Sequence, residues 1–187
     1  MRIFSYGGGV QSTASLVLAA QREIDFPVFL FANVGDDSEH PATLRYVREV
    51  AMPYAEEKSI SLHGIHRYKK SGETETLYGR MMRPDSRSLP IPVRMSNGAP
   101  CTRACTVDFK ISVIAKYQKG FGATAANPAI TGLGISVDEI ERARTDSGIA
   151  WQTLEYPLLE LGLTRKDCVR IIERAGLPVP PKSSCWF

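Results

Sequence analysis

Ser5-Tyr6-Gly7-Gly8-Gly9-Val10-Gln11-Ser12-Thr13 is the stretch of this 187-residue chain that decides its fold. Just before it, residues 2–6 make a short apolar run that reads as a buried strand. Just after it, residues 11–22 read as a helix, with Leu16, Ala19 and Ala20 on one face. Residues 27–34 form a second apolar run, so the pieces make a βαβ unit, whose two strands must run parallel. Three successive glycines at the strand-to-helix turn let the backbone come close to a ligand. Unpaired amides at the helix start, with the hydroxyls of Ser12 and Thr13, can bond phosphate oxygens, so the stretch reads as an anion cradle. For the loop taken alone, a plain glycine turn is the competing reading.

The same alternation continues outward. Residues 41–57 predict a helix with Pro41 in its first turn, and residues 59–66 a third strand. Periodicity fades over residues 68–100, where Gly72, Gly79, Pro84, Pro90, Pro92, Gly98 and Pro100 interrupt the chain and mark an irregular insertion. A helix over 106–119, a strand over 129–135, a short strand around 154–158 and a last helix complete the pattern. That helix starts at Thr164-Arg165-Lys166-Asp167, which has capping-box spacing, and stops at Gly176. The expected fold is therefore α/β: a doubly wound, Rossmann-like parallel sheet with helices on both faces. At 187 residues and 43% hydrophobic content, one domain over residues 1–187 is expected.

Composition narrows the function less than the loop does. A net charge of +3 is too small to point to nucleic acid by itself. No apolar run reaches the ~20 residues needed to cross a bilayer, and residues 1–4 enter a strand pattern instead of a signal peptide, so a cytoplasmic location without membrane contact is expected. In that setting Cys101, Cys105, Cys168 and Cys185 read as free thiols or metal ligands before disulfides. Cys168 also falls on one helix face with Val169, Ile171, Ile172 and Ala175, which is core spacing.

No Gly-Lys-Ser/Thr follows the glycines, and the Rossmann glycine spacing is absent, which excludes both of those phosphate motifs. The loop instead resembles the PP-loop, S-G-G-x-D-S/T, of the nucleotide alpha hydrolases. Gly7 stands where the first Ser is usual, and Gln11 where the Asp is usual. Gln brings hydrogen-bonding capacity but no charge. Residues 31–38, Phe-Ala-Asn-Val-Gly-Asp-Asp-Ser, followed by Pro41-Ala42-Thr43, look like the F-x-N-T-G-x-E-x-P-x-T region of phosphoadenosine phosphosulfate (PAPS) reductase-like proteins. Arg103-Ala104-Cys105-Thr106 with Lys110 resembles their R-x-C-T-x-x-x-K segment. Residues 132–139 with Arg142 resemble G-I-R-x-D-E-x-x-R, with Ser136 in place of the Arg.

This resemblance, of the PAPS reductase-like branch, covers most of the chain in the family's order. It implies an adenine nucleotide such as ATP held by Ser5, Gly7, Gly8, Gly9, Gln11, Ser12, Thr13, Asn33, Gly134 and Arg142, with Ser12, Lys110 and Arg103 serving catalysis. Asp36 and Asp37 are the candidates for Mg²⁺, capping of the next helix being the alternative for both. The tail Ser184-Cys185-Trp186-Phe187 looks like S-x-C-x-x-C-P cut one residue before a second cysteine, and a truncated C-terminus is expected. Cys105, Cys168 and Cys185 thereby become candidate ligands of a [4Fe-4S] cluster, and Cys101 a free thiol. The E-C-G-x-H motif of PAPS reductases proper has no match. The implied activity is ATP cleavage between the α and β phosphates to adenylate a substrate, for sulfur transfer or nucleic-acid modification. Reduction of an adenylyl-sulfate type ligand and non-catalytic nucleotide or nucleic-acid binding are the alternatives. A nucleic acid or sulfur donor is the expected partner, with self-association into a homo-oligomer left open.

Overall fold

The computed structural model describes residues 1–84, 90–93, 98 and 104–187. Five parallel strands lie in the order β3-β2-β1-β4-β5: β1 Arg2–Ser5, β2 Val28–Asn33, β3 Ser61–His66, β4 Ala129–Leu133 and β5 Gln152–Glu155. Winding runs one way from β1 to β3 and the other way from β4 to β5. The strand order therefore reverses between β1 and β4, and the region beyond the strands' carboxyl ends there is where doubly wound sheets bind their ligands.

Period-two alternation along the strands sorts the core. Phe4, Tyr6, Phe29 and Phe31 point to one face, where they pack with Leu16 of helix α1 (Val10–Ala20) and with Leu44, Val47, Ala51 and Ala55. Ile3, Leu30 and Ala32 point to the other face, against Ile114 of helix α6 (Ser112–Gly120). Both faces are thus covered, as the doubly wound expectation requires. The far side of α1 carries Val10, Ala14 and Leu18, which pack on Cys168 and Ile172 of helix α8 (Arg165–Arg174).

Each helix shows why it begins or ends where it does. Thr164 caps α8, and Asp167 closes the capping box; Gly176 follows with φ +73°. The helix expected over 41–57 is α2 (Pro41–Tyr46), a π-helical turn Val47–Ala51, and α3 (Met52–Glu57). A second π turn, Val107–Ile111, separates α5 (Ala104–Thr106) from α6. Inside the stretch read as irregular, α4 (Leu77–Met81) is fixed by Leu77, fully buried with Val34 and Phe109, and by Thr76, which caps it. The last strand lies earlier than its apolar run suggested. Pro157 has no amide to give a sheet ladder, and it opens the short helix α7 (Pro157–Glu160) instead.

Candidate functional site

The glycine loop joins β1 to α1 and leaves the sheet where the strand order reverses. Tyr6 turns back into the core, 2% exposed, and its hydroxyl meets the Thr13 hydroxyl at 3.0 Å. Burial pushes the Tyr6 phenol up, so it stays protonated at any ordinary pH. Gly8 has φ +72°, and a Cβ there would stand 2.8 Å from Thr43 Cγ2 and 3.5 Å from Val47 Cγ2. No residue with a side chain fits that backbone without strain. Gly9 is the N-cap of α1: its amide donates to Ser12 Oγ at 3.1 Å, and that hydroxyl donates back to the Gly9 carbonyl at 3.0 Å. The hydroxyls expected to face a phosphate are thus engaged locally, Ser12 at the cap and Thr13 inside the core. What the loop offers an anion is its backbone at the positive end of an 11-residue helix.

Gly134 brings the end of β4 against this helix start, since a Cβ there would lie 3.2 Å from the Ser12 amide nitrogen and 3.4 Å from Gln11 Cβ. Gln11, 8% exposed, is used on both ends. Its Nε2 donates to Glu139 Oε2 at 3.2 Å, and its Oε1 accepts from Arg165 at 2.9 Å. Arg142 completes the group through Glu139, 2.8 Å away. The structure therefore brings Gln11, Gly134 and Arg142 together with Ser12, and adds Glu139 and Arg165. The pattern Thr164-Arg165 was legible as a helix start, but nothing local shows that its arginine reaches back to residue 11.

On the other side of the glycine loop from β4, β2 delivers the loop 33–40. Asn33, 6% exposed, accepts from the Gly35 amide and donates to Asp36 at 2.7 Å. That bond and the Arg48 guanidinium hold the Asp36 carboxyl below its ordinary range. Asp37 accepts from Ser38 at 2.7 Å and from Thr76 at 2.9 Å. Neither caps α2, a role taken by His40, whose Nδ1 accepts from the Ala42 amide. Among the described residues no three His, Cys, Asp or Glu side chains come together to hold a metal ion.

The cysteines correct the expectation of a three-thiol cluster. Cys168 is 0% exposed in the α1–α8 interface, where burial pushes its thiol up to about 11. Cys105 and Cys185 pack elsewhere, on Val34, Leu77 and Phe109. The helix phase that makes Cys168 a core residue keeps it out of any shared ligand set, and the described residues do not fit a cluster held by Cys105, Cys168 and Cys185. Arg103 and Cys101 lie outside the described residues.

One residue of the site lies outside the motif segments of the sequence. Glu39 is 0% exposed, and neither of its carboxylate oxygens has a hydrogen-bond partner among the described residues; Lys110 Nζ is 3.9 Å away. Burial raises the Glu39 carboxyl above its ordinary value. A raised acid makes the fold least costly when protonated, so its contribution is intact below the unfolded value of 4.5 and is lost as pH rises through the native one. Glu39→Gln is accordingly expected to stabilise the protein at pH 8 by roughly 1–3 kcal/mol. The gain should vanish toward pH 4.5 in urea titrations; an equal gain at both pH values would contradict the buried charge.

Over all of this lies the tail. Tyr46 donates to the Pro178 carbonyl at 2.7 Å, the His40 amide to the Ser184 carbonyl at 3.0 Å, and the Trp186 amide to the Ser38 carbonyl at 3.2 Å. Glu39 and Cys185 pair as an antiparallel bridge, the Trp186 indole donates to the Asp37 carbonyl at 2.6 Å, and Ser183 Oγ donates to the Gly7 carbonyl at 2.5 Å. Residues 183–187 therefore run between the glycine loop and the loop that follows β2.

No helix among the described residues is long and apolar enough to cross a membrane. No protein-family model matches the sequence, and no curated protein matches it. The fold has a solved counterpart in the phosphoadenylyl-sulfate (PAPS) reductase from Candida auris, determined as a phosphate complex. It superposes with a TM-score of 0.60 over 99% of this chain and 81% of that one, at 15% identity. At that identity the likeness is one of architecture: this chain is an α/β protein with a parallel five-stranded sheet of the kind found in that PAPS reductase.

Proposed function

We propose that the chain is an adenine-nucleotide-dependent enzyme of the PAPS reductase-like group that cleaves ATP between its α and β phosphates. The backbone of residues 7–9 and the start of α1 receive the phosphates. One observation carries this: Gly8, left-handed and pressed against Thr43, opens a side-chain-free cradle at a helix start where the sheet order reverses. An acceptor oxygen attacks the α-phosphorus and pyrophosphate leaves. The adenylated acceptor, a nucleic-acid base or a sulfur-accepting molecule, then loses AMP to an entering nitrogen or sulfur nucleophile. The chain's share is positioning and charge stabilisation, for which Lys110 and the Gln11, Arg142 and Arg165 group stand on either side of the loop.

The shared architecture favours a second reading, reduction of an adenylyl-sulfate type ligand, because the solved counterpart is a PAPS reductase. Calorimetry with ATP and with PAPS, followed by pyrophosphate release from ATP in the presence of candidate acceptors, separates the two. Pyrophosphate release supports adenylation. PAPS binding without ATP binding transfers support to the reductase, and binding of neither removes both.

A further inference from the structure

Gly7 gives the loop no side chain, and the space where one would lie is open: a Cβ on Gly7 would find its nearest neighbour, Ser12 Oγ, at 4.0 Å. A hydroxyl reaches that carbonyl from elsewhere. Ser183, 176 residues along the chain, donates its Oγ proton to the Gly7 carbonyl, and its Cβ lies 3.6 Å from where a Cβ on Gly9 would be. It is held there from both sides, by the Tyr46 hydroxyl donating to the Pro178 carbonyl, and by the His40 amide donating to the Ser184 carbonyl while the Trp186 amide and indole donate to the Ser38 and Asp37 carbonyls. In the PP-loop pattern the position of Gly7 is a serine. Here a serine hydroxyl reaches the backbone of residue 7 from the tail.

We infer that Ser183 is a phosphate ligand of the glycine loop, replacing from the C-terminal segment the hydroxyl that residue 7 lacks. The inference rests on the loop being a nucleotide phosphate site. A serine hydroxyl has one proton to donate. In the structure that proton is spent on the Gly7 carbonyl, so binding trades this bond for one to an anionic phosphate oxygen, a stronger acceptor. The tail becomes part of the site. The Ser183 contact itself then favours the arrangement in which residues 183–187 bridge the two loops.

ATP titrated by calorimetry into the whole chain tests this. Ser183→Ala should weaken ATP binding about tenfold, the loss expected for a hydrogen bond to a charged group, with the thermal melt unchanged. Adding Gly7→Ser to Ser183→Ala should recover most of the lost affinity, because the open space at residue 7 returns a hydroxyl to the loop. Unchanged or tighter binding by Ser183→Ala would overturn the inference, the latter marking the tail as a cover that competes with nucleotide. Failure of the added Gly7→Ser to recover affinity would equally count against a shared hydroxyl role. These outcomes differ from failure of the loop assignment, in which the unaltered chain itself binds no ATP.

Discussion

Gly132→Val is expected to destabilise the protein by about 3 kcal/mol or more, the upper range for overpacking a core that cannot relax. Gly132 sits on β4 opposite Phe4 of β1. A Cβ there would stand 2.5 Å from Phe4 Cδ2 and 2.8 Å from two ring atoms of Phe26. Those rings are themselves fixed, edge to face at 5.5 Å, with Phe4 stacked on Phe29 at 4.9 Å. No flexible chain end is available to give way, and backbone neighbours on both sides hold β4 in register. Urea unfolding measures the loss as a lowered midpoint. Gly132→Ala should show the same effect in smaller measure, and a wild-type midpoint in either would mean that the aromatic layer is not packed as described.

The second large effect is on binding. Gly8→Val should lower ATP affinity by at least about a hundredfold, since two effects converge on one residue. A β-branched side chain pays roughly 1–2 kcal/mol or more to hold a left-handed backbone, and its Cβ collides with Thr43 at 2.8 Å. Either the loop moves out of its phosphate-binding shape or the fold absorbs the strain. Removing the collision with Thr43→Ala separates the alternatives: Gly8→Val with Thr43→Ala should regain stability while still failing to bind ATP. Recovery of wild-type affinity in that pair would show that only the Thr43 contact, and not the backbone of Gly8, shapes the site.

What was legible in the sequence follows from the range of the interactions involved. The βαβ start was readable because strand alternation, helix phase and consecutive glycines are local signals, and the sheet with two covered faces grew out of them. Leu154 to Leu158 misled by its apolarity alone, since Pro157 decides where β5 must already have ended. Grouping Cys168 with Cys105 and Cys185 came from the family resemblance alone, whereas the core spacing of its helix face, a local signal, is the reading the structure bears out. Gln11 stands out in the sequence as a departure from the PP-loop pattern, but its partners Glu139 and Arg165 lie 128 and 154 residues away. Ser183 and Glu39 escaped for the same reason. Their places depend on hydrogen bonds and burial between distant segments, for which composition and periodicity carry no signal.

The two π turns have a consequence for length variation. A π turn holds one residue more than the surrounding helix needs, so it is an insertion absorbed within a helix. Val47–Ala51 follows directly on the segment that presses Thr43 against Gly8, and Val107–Ile111 contains Lys110, which faces Glu39. In both helices, the residue next to the site and the core residues farther along are offset by one place, roughly 100° of rotation, from a regular helix. Relatives one residue shorter in either helix would keep both ends in phase by closing the wide turn, and alignments of this chain should admit a single gap at each.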